Sequence, residues 1–356
     1  MQEICLNTYA NPSSLHKKGL EAELELIRAR KIIAKRLFCD EREIYFTSGG
    51  TEANNLAILG AARRRKKFGN KIVTTAIEHP SVAECARQLE REGFEVVLLS
   101  PDETGNFSIE EIANAIDQRT VLVSMMMINN ELGWCLPVEK LKKIIGRKNS
   151  PALIHIDAVQ AFGKADVKPQ KLGADFLSIS AHKIHGPKGV GALYVKNPAT
   201  LSPFFFGGDP EKRLRPGTEP LPLIAGFGAA VEQLGTIALE NAKIVELWGE
   251  CEAAFSEIPG VQINSKRAGS PYIFNFSVPG IRSETMLHFL AEKGIFVSSG
   301  SACSKGKKSH VLAAANFSDP RIDSAIRVSF SKFNTKDDVH ALIQAVKAGI
   351  GALARR

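Results

Sequence analysis

The sequence predicts an α/β protein, with a mostly parallel sheet in a large domain and a smaller α+β domain after it. Three observations carry this. Short apolar, β-rich runs alternate with helix-length segments through the first two thirds of the chain. Polar side chains recur just beyond those runs, where open α/β sheets gather their functional groups. From about Gly226 the texture changes to a long helical stretch and then a compact mixture of strands and helices. A chain of 356 residues is long enough for two such cores.

Met1 to Ala10 is ambiguous, and "NPSSLHKKG" is turn chemistry. Leu20, Leu24, Ile27 and Ala34 fall at helical spacing and predict an amphipathic helix over about Leu20 to Leu37. "EIYFTSGGTEANNLAI" reads as a strand, Glu43 to Thr47, then a helix from near Thr51. Gly49 and Gly50 lie in the turn, where backbone N–H groups at a helix start can meet an anion. Strand "KIVTTAI" leads into "EHPS", which opens a helix. Strand "EVVLLS" follows, then a capping-box start at Ser108 with Glu111, then strand "VLVSMMM" and "INNELG". A helix from about Val138 precedes strand "ALIHID", which ends at Asp157. The strand Phe176 to Ser180 delivers Lys183, and a glycine-rich return leads into a second apolar run ending at Val195.

One helical stretch from about Gly226 to Phe255 is expected to join the domains. "GFGAAV" within it follows no strand, so it reads as helix packing and not as a dinucleotide fingerprint. The second domain is read as strand "YIFNFSV", helix "SETMLHFLAEKG", strand "IFVSS", loop "GSACSKGKKSH", strand "AIRVSF" and a last helix capped near Thr335.

Composition narrows the classes. The net charge of +8 is scattered, and its one tight run, Arg63 to Lys71, sits at an expected helix end, so no nucleic-acid partner is expected. Six cysteines show no C-x-x-C pair and no metal spacing, which points to a reduced, cytoplasmic protein without a metal. No apolar run approaches the roughly 20 residues of a membrane span, and no signal-peptide pattern opens the chain.

A nucleotide-triphosphate loop is absent. The groups at the strand ends, His79, Asn130, Asp157, Gln160 and Lys183, instead match a cofactor with a phosphate, a basic ring nitrogen and an aldehyde. That cofactor is pyridoxal 5'-phosphate (PLP). Asp157 would keep the ring nitrogen protonated, His79 would stack on the ring, and Lys183 would carry the Schiff base.

"TSGGTEANNLAI", "EHPSV", "NNELG", "HIDAVQAFGK", "SAHKIHGPKGVGALYV", "RLRPGTE", "SSGSACS" and "IRVSF" together resemble the cysteine desulfurases of the class V aminotransferase group, in order from about Tyr9 to the last helix. The resemblance implies a PLP-dependent transferase of fold type I. Its large domain would span 10–232, and residues 1–9 plus 233–356 would form the small one. It implies that Gly50 (through its amide), Thr51, Ser180 and His182 bind the phosphate, and that Thr218 reaches the phosphate of the neighbouring subunit in a homodimer. Gln160 would bond the ring's phenolic oxygen, Asn130 would lie near the substrate carboxylate and the cofactor, and Arg327 would grip that carboxylate. Lys183 would also carry protons, with help from His79. Cys303, with Lys305, Lys307 and Lys308 nearby to favour its thiolate, would take sulfur from L-cysteine. The products would be L-alanine and an enzyme-bound persulfide, for acceptors such as an iron–sulfur scaffold.

Two departures stand out. Only ten residues precede "NPSS", where the family begins with a strand and a helix, as if the chain started inside a longer product or were a shortened relative. The family's Gly-Gly-Gly-Gln-Glu is here "GGDPEK", from Gly207. A selenocysteine lyase, an aminotransferase of the same fold and a non-catalytic partner platform are the competing readings.

Overall fold

The computed structural model describes residues 1–102, 104–299 and 308–353. Its helices, in chain order, are α1 (Gln2–Asn7), α2 (Lys17–Leu37), α3 (Gly50–Arg65), α4 (Pro80–Arg91), α5 (Ile109–Ala115), α6 (Val138–Arg147), α7 (Pro169–Leu172), α8 (Leu221–Glu232), α9 (Ile237–Ser256), α10 (Ser283–Glu292), α11 (His310–Ala314), α12 (Asp319–Asp323) and α13 (Lys336–Ala352). The strands are β1 (Ile44–Thr47), β2 (Lys71–Thr75), β3 (Glu95–Leu99), β4 (Thr120–Met126), β5 (Leu153–Asp157), β6 (Phe176–Ser180), β7 (Gly191–Val195), β8 (Gln262–Ile263), β9 (Ile273–Ser277), β10 (Ser298–Ser299) and β11 (Ala325–Ser329).

The chain forms two compact units. The first holds a seven-stranded sheet in the order β1-β7-β6-β5-β4-β2-β3, with β2 to β6 parallel and β7 antiparallel to both neighbours. Strands β1, β2, β4, β6 and β7 are buried along their whole length, as helices on both faces of a sheet require. β7 runs antiparallel because the turn from Ser180 to Gly191 is too short for a crossover helix. On α2, the buried residues Ala22, Leu26, Ala29, Ile33 and Leu37 form one stripe, against which α8 packs. A side chain at Gly228 would meet the Ala29 Cα at 3.2 Å, which bears out helix packing as the meaning of "GFGAAV".

The second unit has the antiparallel sheet β10-β11-β9-β8 over an aromatic core of Trp248, Phe255, Phe274 and Phe276. It also takes in residues 100–108 and 128–136, which the expected boundaries assigned to the large domain. The reason is hydrogen bonding: Asn275 Nδ2 donates to the Glu131 carbonyl at 3.0 Å, the Ser270 amide to the Gly133 carbonyl at 2.7 Å, and Trp134 Nε1 to the Asn264 carbonyl at 3.3 Å. Residues 1–9 fall in the first unit, not with the second, because α1 lies on α8, with Met1 beside Gly226.

Two elements differ from expectation. The single helix from Gly226 to Phe255 is two helices, α8 and α9, broken at 233–236, where Glu240 Oε1 accepts from the Gly235 amide at 3.0 Å and Thr236 is extended. Only Ser298 and Ser299 of "IFVSS" pair as a strand.

In the first unit, Glu211 is almost wholly buried, its side chain 1% exposed. It accepts from both terminal guanidinium nitrogens of Arg30, Nη1 at 3.0 Å and Nη2 at 2.5 Å, and from the Phe46 amide at 2.8 Å. Removing one member of a buried pair strands the other charge, so Glu211→Ala is expected to destabilise the protein by about 3 kcal/mol. Urea denaturation of the variant beside the wild type measures this.

Candidate active site

The first unit builds its polar cluster at the carboxyl ends of β2, β5 and β6. β5 delivers Asp157, buried at the strand's last position. Its Oδ1 accepts from the Val159 amide at 2.9 Å and its Oδ2 from Asn54 Nδ2 at 2.7 Å. Burial pushes this carboxyl up, against those two donors and the electrostatic pull of His79 and Lys183. Asn54 Nδ2 also donates to Ser81 Oγ at 2.9 Å, and Ser81 Oγ lies 2.8 Å from His79 Nδ1. His79 caps α4, its Nδ1 accepting from the Ser81 amide at 3.1 Å, so the ring is fixed by the helix it starts. A continuous chain of contacts therefore runs His79, Ser81, Asn54, Asp157.

β6, the neighbour of β5, ends at Ser180, and Lys183 follows in a 3-10 turn closed by the left-handed His185. Ser180 Oγ lies 2.8 Å from His182 Nδ1. Burial and the charges of Lys183 and Lys188 hold His182 below the usual histidine range. α3 starts at Gly50 without a side-chain cap, leaving its first amides, Gly50 and Thr51, for an outside acceptor. The turn tolerates no larger residue: a Cβ at Gly50 would lie 2.7 Å from Val159 Cγ2, and one at Gly191 would lie 2.8 Å from the Gly49 Cα.

Gln160 lies half-buried three residues past Asp157, and Thr218 is exposed. Asn130 belongs to the second unit. There its carbonyl accepts from Arg327 Nη1 at 2.9 Å, while its Oδ1 is buried and takes no hydrogen bond among the described residues. Asn130 and Arg327, about two hundred residues apart, are thus held together. Next to Asn130, the Glu131 carboxyl is raised by burial, and Ser309 Oγ donates to it at 2.6 Å. Cys303 lies outside the described residues.

These residues fit PLP. Asn54 Oδ1 is a second buried acceptor without a hydrogen bond among the described residues, at the acid that would meet the ring nitrogen. The glycine turn, Ser180 and His182 have the character of an anion cradle. Among the described residues no cluster of His, Cys, Asp and Glu could hold a metal ion, and no single helix is long and apolar enough to cross a membrane.

Asn54 and Ser81 were missed from the sequence, although both lie in singled-out motifs, "TSGGTEANN" and "EHPS". Below the cluster, a line of polar groups crosses three strands. Ser124 Oγ lies 2.8 Å from His155 Nδ1, and His155 Nε2 lies 3.1 Å from Ser178 Oγ. His155 is 0% exposed, and burial lowers its pKa to about 3.

A mostly parallel sheet with an amine after β6 and an acid at the end of β5 is the plan of a fold type I, PLP-dependent transferase. The class-V aminotransferase family model matches residues 1–342. A cysteine desulfurase IscS of Clostridium botulinum is 39% identical over 95% of this chain and 86% of its own length. A putative cysteine desulfurase of Bacillus subtilis, IscS 1, is 39% identical over 93% of this chain and 89% of its own. A solved NifS-like protein superposes with a TM-score of 0.93 at 34% identity, covering 99% of this chain and 94% of the other. SspA, solved in complex with cysteine, gives a TM-score of 0.82 at 33% identity over 94% of each chain. The chain belongs to the class-V aminotransferase family, in its cysteine desulfurase group.

The buried histidine supplies a test. Its folded pKa lies below its unfolded value, so the stability it carries is present above about pH 6.5 and is lost as pH falls toward about 3. Relative to His155→Gln, the wild type is expected to lose stability over that interval, read from denaturation midpoints at a series of pH values.

Proposed function

We propose that this chain is a PLP-dependent cysteine desulfurase, converting L-cysteine to L-alanine and an enzyme-bound persulfide. The observation that carries the reading is the chain of contacts from His79 through Ser81 and Asn54 to Asp157, with Lys183 leaving the adjacent strand. Bound PLP supplies an electron sink that labilises bonds at the substrate's α-carbon. Asp157 would hold a proton at the ring nitrogen. His79 would stack on the ring and assist proton movement, and Lys183 Nζ would hold the aldehyde and move the α-proton. The Gly50 amide, Thr51, Ser180 and His182 would bind the phosphate, and Gln160 would bond the phenolic oxygen. Asn130 and Arg327 bind the substrate carboxylate, for which a planar guanidinium is suited.

Cys303 is the nucleophile toward the substrate's sulfur. A sulfur–sulfur bond forms, the carbon–sulfur bond breaks, and the α-amino acid leaves as alanine, which balances without an added oxidant. The enzyme acts as a homodimer, the exposed Thr218 reaching the partner's phosphate site, and works in the cytoplasm. The sulfur then passes to an acceptor protein such as an iron–sulfur scaffold.

The purified protein is expected to be yellow with bound PLP and to yield equimolar alanine and, under reductant, sulfide from L-cysteine. Lys183→Ala is expected to lose turnover by at least about a thousandfold. Cys303→Ala should keep the cofactor band and lose sulfide release to the same degree, as measured by absorbance and product assay. A yellow wild-type protein that releases no sulfide would mark a non-catalytic platform, and full activity in Cys303→Ala would mark a lyase that needs no persulfide.

A further inference from the structure

Glu78 has no part in the chemistry above, yet its side chain is 0% exposed at the carboxyl end of β2, immediately before His79. Its Oε1 accepts from Thr75 Oγ1 at 2.8 Å and from the Met126 amide at 2.9 Å. Thr75 ends β2 and Met126 ends β4, so one oxygen joins the ends of two adjacent strands. Met126 is in turn the register partner of Asp157 on β5.

We propose that Glu78 is a positioning residue for the ring site and works as a neutral carboxylic acid, fixing the turn that carries His79 against β4 and leaving Asp157 to hold the negative charge. This rests on the PLP reading, since it is the protonated ring nitrogen that gives Asp157's charge its use.

The chemistry of the pair decides which carboxyl keeps a proton. Two buried carboxylates close enough to feel each other do not both ionise near neutral pH. The titratable groups around them are His79 at the start of α4 and Lys183 after β6, and both favour the charged form of Asp157. Asp157 also has a donor on each oxygen, from Val159 and Asn54. Glu78 receives both of its named donors on a single oxygen. Complete burial, and to a lesser extent the charge of Asp157, raise its carboxyl to about 8 against the pull of the Met126 amide and the Thr75 hydroxyl.

The test uses the full-length holoenzyme as wild type, Glu78→Gln and Glu78→Ala, with PLP affinity read from the visible band and thermal midpoints from about pH 5 to about pH 8. Glutamine keeps the shape, both acceptor contacts and the neutrality. Glu78→Gln is therefore expected to bind PLP within about threefold of wild type, whereas Glu78→Ala, which strands two buried donors, weakens it about tenfold or more. The folded acid has a raised pKa, so the stability its proton carries is full below about pH 4.5 and is lost as pH rises through about 8. The wild-type midpoint should accordingly fall relative to Glu78→Gln across that range.

Equal weakening of PLP binding in Glu78→Gln and Glu78→Ala, or a wild-type minus Glu78→Gln difference that stays flat with pH, overturns the proposal. A wild type that takes up no PLP at all sinks the cofactor reading and the positioning role together. The pH comparison on the cofactor-free protein then still decides whether Glu78 is a neutral acid.

Discussion

A carboxylate at the end of a buried strand is the constraint around which the first unit is arranged. β5 is the middle strand of seven, and its neighbours β4 and β6 are buried along their length, so Asp157 is buried among them. Such a group is tolerated only when donors replace its solvent. The Val159 amide serves one oxygen and Asn54 the other, and each helper needs a support of its own. Asn54 is tied to Ser81, Ser81 to the His79 ring, and the ring to the first turn of α4. Satisfying one acid therefore fixes the orientation of an imidazole and the relative placement of α3, α4 and β5.

The same economy governs the layer below. His155 lies two residues before Asp157 and so on the same face of β5, flanked by Ser124 on β4 and Ser178 on β6. A neutral imidazole between two hydroxyls leaves neither ring nitrogen unpaired. It crosses the three strands without introducing a second charge beneath the acid, as the low-dielectric interior demands.

Much of this was legible in the sequence, for physical reasons. Strand positions followed from short apolar runs bounded by turn residues, and the polar residues beyond them followed the rule that open α/β sheets gather functional groups at the carboxyl ends of their strands. Asn54 was not legible, because a polar residue on the fifth position of a helix looks solvated until the fold turns that face onto β5. Nor was the membership of residues 128–136 in the second unit, which depends on backbone and side-chain hydrogen bonds to residues 130 to 144 positions away. Helical periodicity likewise continued through 233–236, where the chain in fact breaks, because it records which residues are apolar and not where a carboxylate, here Glu240, captures an amide.

The departure "GGDPEK" acquires a physical meaning from the same logic of buried charge. Against the family's Gly-Gly-Gly-Gln-Glu, the third glycine and the glutamine are replaced by Asp209 and Pro210, while the glutamate stays as Glu211. Glu211, Lys212 and Arg213 all take left-handed backbone angles, φ 48°, 53° and 65°, a run that costs on the order of 1 kcal/mol or more per residue. Only a strong tertiary tie holds three side-chain-bearing residues there. The forked contact of Arg30 with Glu211, closed by the Phe46 amide, is that tie, whereas positions 209 and 210 precede the strained run. The segment that leads on to Arg215, paired with Glu52 at 2.8 Å, and then to Thr218 thus keeps its anchor. Of the side-chain-bearing residues in the family's motif, the one retained, Glu211, is the one whose charge is buried, and the substituted Asp209 adds a tie to the strained run by accepting from Arg213 Nε at 2.7 Å.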